Sequence, residues 1–109
     1  MARAPRMTMA TQLVLRALLA DPTGELYGSE IGEAAGLMSG TVHPILARLE
    51  AAGWVQSRWE DVDPQVAGRP ARRYYTVTGE GVQQARAALA RVPRPHPGRL
   101  APRPEPGLP

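Results

Sequence analysis

Apolar positions recur at helical spacing in four blocks of the chain and at strand spacing in two. In the first block, Met7 to Ala20, residues Ala10, Leu13, Val14, Ala17 and Leu18 form one apolar face, and Leu15 and Leu19 form a second. A helix apolar on two sides needs two partners. The second face therefore points either to a subunit interface or to a helix buried within its own domain. Asp21-Pro22-Thr23-Gly24 stops this block, because a residue before proline is pushed out of the helical region.

The stretch from Tyr27 to Val55 reads as two helices joined by a tight turn. Gly28 to Ala35 is the first, ending at Gly36, where a left-handed residue costs glycine least. Gly32 lets the two backbones approach at a steep crossing, although glycine inside a helix costs about 1 kcal/mol against alanine. The next helix spans about Thr41 to Ala52, with Val42, Ile45, Leu46 and Leu49 as its buried stripe. Pro44 has no amide hydrogen and fits best in a first turn, which favours Thr41 as the cap. A start at Ser39 would cost one hydrogen bond at Pro44 and bend the helix.

After Gly53 the period changes. Trp54 to Glu60 and Arg72 to Val77 read as strands, and Asp61 to Ala71 between them, with Pro64, Gly68 and Pro70, as a long hairpin tip. Thr78 caps a last helix from Gly79 to about Arg91, with Val82, Ala85, Leu89 and Val92 at helical spacing and Pro93 as its stop. The order is helix, helix, helix, strand, strand, helix. This predicts a mainly α fold with a small β-hairpin, a winged helix-turn-helix plus a C-terminal dimerisation helix. Residues 1–6 form an arm, 7–92 the domain with its C-terminal helix at 79–92, and 93–109 a Pro/Arg-rich tail expected to be disordered.

Composition narrows the function. At 109 residues the chain holds one domain, and the absence of cysteine excludes disulfides and thiolate metal sites and suits a reducing cytoplasm. No apolar run approaches a membrane span, and no secretory signal follows the N-terminus. All 13 basic residues are arginine, the better fork for phosphates and guanine edges. The net charge is +3, much of it in the tail, where Arg94, Arg99 and Arg103 face only Glu105. The body is near neutral, so any affinity for nucleic acid must come from local patches. His43 and His96 are the only histidines, and no nucleophile–base pair, phosphate loop or metal spacing is present. An enzyme is not expected, nor a cofactor or metal.

Several segments together resemble the PadR-like family of bacterial transcriptional regulators. Tyr27-Gly28 is similar to its helix start. Gly40-Thr41-Val42-His43-Pro44, followed by Leu46, Arg48-Leu49-Glu50 and Gly53, resembles its recognition helix. Gly68-Arg69-Pro70 with Arg72-Arg73-Tyr74-Tyr75 resembles its wing, and Thr76-Val77-Thr78-Gly79-Glu80-Gly81 the start of its last helix. The chain departs from the pattern at His43, where the family usually has Tyr, and at Ser39-Gly40, where it often has an intervening Pro. The short, single C-terminal helix resembles one subgroup of the family. The resemblance implies a homodimer, with first and last helices packed across a two-fold axis through Leu15, Leu19, Val82, Ala85 and Leu89.

The residues placed to meet double-stranded DNA are Ser39, Gly40, Thr41, His43, Pro44 and Arg48 on the helix and Arg69, Pro70, Arg72 and Arg73 on the wing. Arg48 with Glu50 also fits an ordinary charged helix surface, and Arg72 or Arg73 is expected to pair with the acidic arm of Glu60, Asp61 and Asp63. Trp54 reads as core. Trp59 reads either as hairpin packing or as the wall of a pocket for a flat aromatic effector. The expectation is a cytoplasmic, dimeric DNA-binding regulator acting as a repressor. The alternative is a winged-helix adaptor that binds protein and not DNA.

Overall fold

A computed structural model describes residues 4–93. Its elements are α1 (Met9–Leu19), β1 (Leu26–Tyr27), α2 (Gly28–Ala35), α3 (Ser39–Ala51), β2 (Val55–Trp59), α4 (Pro64–Ala67), β3 (Arg73–Val77) and α5 (Gly79–Arg91). The expected tail falls almost wholly outside these residues. No helix among the described residues is long and apolar enough to cross a membrane.

The core is built where the apolar stripes of the helices meet. Val14, Leu15 and Leu18 of α1, Ile31 of α2, and Val42, Leu46 and Leu49 of α3 lie at its centre, closed by Trp54, Val55, Tyr75 and Ala85. Helix α1 touches α2, α3, α5 and β3. Both of its apolar faces therefore contribute to the core of one protomer, and Leu15 is fully buried. This corrects the assignment of Leu15 to a subunit interface, and Ala85, equally buried, leaves that surface with it. Leu19, Val82 and Leu89 stay partly exposed.

Local chemistry sets the helix ends. Thr8 caps α1 by accepting from the Thr11 amide at 3.1 Å. The Glu30 carboxylate accepts from the Tyr27 amide at 3.1 Å at the start of α2. Gly36 turns the chain in the left-handed region at φ 72°, and the Leu37 amide closes back on the Gly32 carbonyl at 2.8 Å. A side chain at Gly32 would meet that Leu37 carbonyl at 2.8 Å, so the close approach expected there is made against the turn itself.

Helix α3 begins earlier than Pro44 suggested. Met38 is the cap, and its carbonyl accepts from the Thr41 and Val42 amides at 2.9 and 3.1 Å. Pro44 is then the sixth helical residue, well inside the helix. An interior proline costs about 3 kcal/mol. Burial of Val42, Ile45, Leu46 and Leu49 contributes roughly 1.5–3 kcal/mol each, which exceeds that cost. The helix runs through, and the Thr41 hydroxyl is not used as a cap.

The sheet has the order β1-β3-β2, antiparallel throughout. Val55 pairs with Val77, Ser57 with Tyr75 and Trp59 with Arg73. The expected hairpin is present, its tip shaped by α4, which Asp63 caps through the Gln65 amide at 2.9 Å. The two-residue strand β1, paired to Tyr74 and Tyr75, was not anticipated.

Candidate nucleic-acid interface

The burial of α3 on one side dictates what its other side offers. Ser39, Gly40, Thr41, His43, Pro44, Ala47 and Arg48 are all exposed. Small residues, Gly40 and Ala47, lie near the crest, and a side chain at Gly40 would meet nothing within 4 Å. At about 100° per residue, the crest separates two flanks. Thr41 and Arg48 lie on one, and His43 and Glu50 on the other. The His43 ring, although exposed, lies against Gly28 at the start of α2, where an added Cβ would meet Cε1 at 2.8 Å.

Glu50 joins α3 to the wing. Ser57 of β2 donates to the Glu50 carboxylate at 2.6 Å, Arg73 Nε donates to the Ser57 hydroxyl at 2.9 Å, and Arg73 Nη2 lies 3.6 Å from Glu50. This chain ties the exposed helix to the hairpin beside it. Glu50 and Ser57 were not among the residues expected to matter. Their only signal in the sequence is that strand alternation places Ser57 on the face that continues from Val55 toward α3.

The wing arginines are placed differently from expectation. Arg72 and Arg73 do point to opposite faces, but neither side chain takes the acidic arm. Arg73 goes to Glu50 and lies 5.3 Å from the Trp59 ring, and Arg72 covers the Tyr27 ring at 4.3 Å. Arg69 instead forms the fork, donating to both Glu60 oxygens at 2.7 and 2.9 Å, and the Arg72 amide adds a third donor to Glu60 at 3.1 Å. On the outer face Arg58 pairs with Glu25 at 2.6 Å and lies over Tyr74, whose ring meets Tyr27 edge-on at 5.7 Å. Tyr75 is core and Tyr74 partly exposed, as alternation requires. Pro70 is exposed at the tip. Trp54 is buried in the core. Trp59 is 61% exposed at the far end of β2. Among the described residues two cavities lie elsewhere, against the N-terminal arm, and the one of about 430 Å³ is bordered by Trp54, Met7, Ala88 and Arg91.

The Arg69 guanidinium, together with the Arg72 amide, holds the Glu60 carboxyl down at about 2 against the opposing effect of burial. Its folded value lies below its unfolded value of about 4.3. The contribution is therefore complete above the unfolded value and is lost as pH falls through about 2. The wing is expected to loosen across that window. The Trp59 indole resonance should move with pH before the Trp54 resonance does, and Glu60→Gln should remove the early step. Simultaneous movement of both in the two proteins would contradict it.

A hairpin wing fastened beside an exposed helix with a small-residue crest defines a winged helix-turn-helix protein. The chain matches the Transcriptional regulator PadR-like family over residues 23–87, more than half its length, and belongs to that family. It is similar to a PadR family transcriptional regulator from Eggerthella lenta, at 25% identity over 75% of this chain and 72% of that one, with TM-score 0.59. A PadR family regulator from Clostridium difficile shares the fold at 24% identity, over 76% and 85% of the two chains, with TM-score 0.60. Overoxidized AbfR bound to DNA is 30% identical over 77% of this chain and 56% of that one, with TM-score 0.60. No curated protein matches the chain.

Proposed function

We propose that the protein is a sequence-specific repressor that binds an inverted-repeat operator as a homodimer. Helix α3 enters the major groove with Ser39, Thr41 and His43 toward base edges, and Arg69, Arg72 and Arg73 of the wing meet the adjacent backbone. The observation that carries this reading is the uncovered face of α3. It projects with empty space over Gly40, beside a wing whose angle Glu50, Ser57 and Arg73 fix. The wing's internal ion pairs do not oppose it. The Arg73–Glu50 contact is long, at 3.6 Å, and partly exposed, so Arg73 can exchange that carboxylate for a phosphate at small cost. A flat effector would find room at Trp54 beside the arm rather than at Trp59.

The test is a gel-shift titration of the full chain against its own promoter region at several salt concentrations. A dimer that neutralises about six phosphates gives a log–log salt slope near −5. Changing Arg69, Arg72 and Arg73 together to Ala is expected to weaken binding on all sequences and to reduce that slope by at least about 2. No shift at low salt would favour the winged-helix adaptor reading instead.

A further inference from the structure

We propose that the N-terminal arm and the flank of α3 opposite the wing form a second seat for a DNA-backbone phosphate, with Arg6 and Arg48 as its cations. This rests on the DNA-binding reading above and assigns a contact that neither the crest of α3 nor the wing supplies.

A cavity of about 250 Å³ lies between the arm and α3, and Arg6 and Arg48 both border it. Its remaining walls are Pro5, Ile45 and Leu49, with Thr8 and Thr11 from the start of α1, and no carboxylate lines it. The wing is different. There Arg58, Arg69 and Arg73 each have a carboxylate within 2.6, 2.7 and 3.6 Å. Among the described residues no carboxylate lies within ion-pair distance of Arg6 or Arg48. Among the wing arginines only Arg72 lacks such a pair, its guanidinium lying over the Tyr27 ring, whereas on the other flank of α3 both Arg6 and Arg48 lack one and face the same open cavity. Two guanidinium groups so placed repel each other until an anion joins them.

The arm is held in this position. Gln12, only 8% exposed, donates its side-chain amide to the Met7 carbonyl at 2.9 Å. Arg6 therefore starts one residue from a fixed point. Helical geometry supplies the rest. A helix about 10–12 Å across fills a major groove about 12 Å wide, so its two flanks face the phosphates of the two strands. Glu50 sends one flank to the wing. Arg48, on the other, faces the opposite strand with Arg6 beside it. The phosphate is the occupant the charges fit, since a guanidinium fork matches its oxygens.

The test uses the full chain and an operator duplex selected from the host genome. Arg6→Gln with Arg48→Gln should reduce the magnitude of the salt slope by about 0.9 per protomer, near 2 for a dimer, with sequence preference unchanged. Arg6→Gln alone, in a coil segment, should leave the melting temperature unchanged and still weaken binding. A neutral methylphosphonate placed singly along the strand away from the wing should locate one position that weakens the wild type and not the double variant. If the wild type binds DNA while the slope of the double variant is unchanged, this seat is overturned and the DNA-binding reading stands. If the wild type binds no DNA at low salt, the parent reading fails. Tight binding of inorganic phosphate alone, with an unchanged DNA slope, would make the cavity a site for a free anion and overturn the proposal.

Discussion

Gly81→Ala is expected to lower the stability of the protein by about 2–4 kcal/mol, although it puts a better helix former into α5. The favourable part is the helix propensity, worth about 1 kcal/mol. Against it stands geometry. An added Cβ would lie 1.9 Å from the Trp54 carbonyl oxygen and 2.7 and 2.8 Å from the Trp54 carbonyl carbon and Cα. These are backbone atoms, and they are held. The Trp54 carbonyl accepts from the Thr78 amide at 2.9 Å, the Trp54 amide donates to Leu49 at 2.9 Å, and the indole is buried in the core. Relief requires α5 to lift, which gives up the Thr78 contacts at about 1 kcal/mol each and strains the packing by about 1–3 kcal/mol. A small domain loses roughly 4–8 °C for each kcal/mol, so a melting temperature lower by about 10–25 °C is expected. Gly79→Ala is the control, because nothing lies within 4 Å of that position, and it should melt near the wild type. A Gly81→Ala protein melting within two or three degrees of wild type would refute the argument.

The same contact explains why Thr78-Gly79-Glu80-Gly81 was informative as a sequence. Thr78 caps α5 through the Gly81 amide at 2.8 Å, and Gly81 provides the clearance against Trp54. The cap could be read from local chemistry, but the clearance could not, since Trp54 is distant in the chain. The helices were legible for a similar reason. Their stripes repeat at 3.6 residues, and α2 runs from Gly28 to Ala35 as the pattern indicated. The errors fall where a tertiary contact overrides a local rule. Pro44 argued for a late start to α3, and four buried side chains outweighed it. Leu15 looked like a second face because the sequence does not show that α1 is packed from several directions. Strand β1 has two residues, too few for alternation to mark. Within the candidate interface the exposed residues of α3 were recoverable from periodicity. The partner of Arg69 was not, because α4 folds the tip and returns Arg69 to Glu60 across a register that no local pattern encodes.

Leu89→Asp is expected to give a folded monomer and to weaken binding to a full operator by about 100-fold or more. Leu89 is only partly buried, and with Arg16, Arg86 and Ala90 it borders a cavity of about 200 Å³ on the outer side of α1 and α5. Met9, Leu13, Arg16 and Ala20 fall on one face of α1 by helical spacing, and Met9 is 66% exposed. For the proposed homodimer this is the partly apolar surface left to a second copy once Leu15 and Ala85 are assigned to the core. A two-fold contact sets the surface against itself, so one carboxylate per protomer enters the interface twice. Within the protomer the new carboxylate has Arg16 and Arg86 beside it, which lets the fold tolerate the change. Leu15→Asp has no such relief. It would bury an unpaired charge in the core and unfold the chain, so it cannot report on assembly. Two linked half-site binders gain about 10²–10⁴ from effective concentration, and the monomer forfeits that gain. Its salt slope on a half-site should be about half that of the dimer on the full site, because each protomer brings half the phosphate contacts. Sedimentation gives the mass and anisotropy titration the slope. A variant that sediments as a dimer at micromolar concentration and keeps the wild-type slope would place the two-fold axis away from α1 and α5.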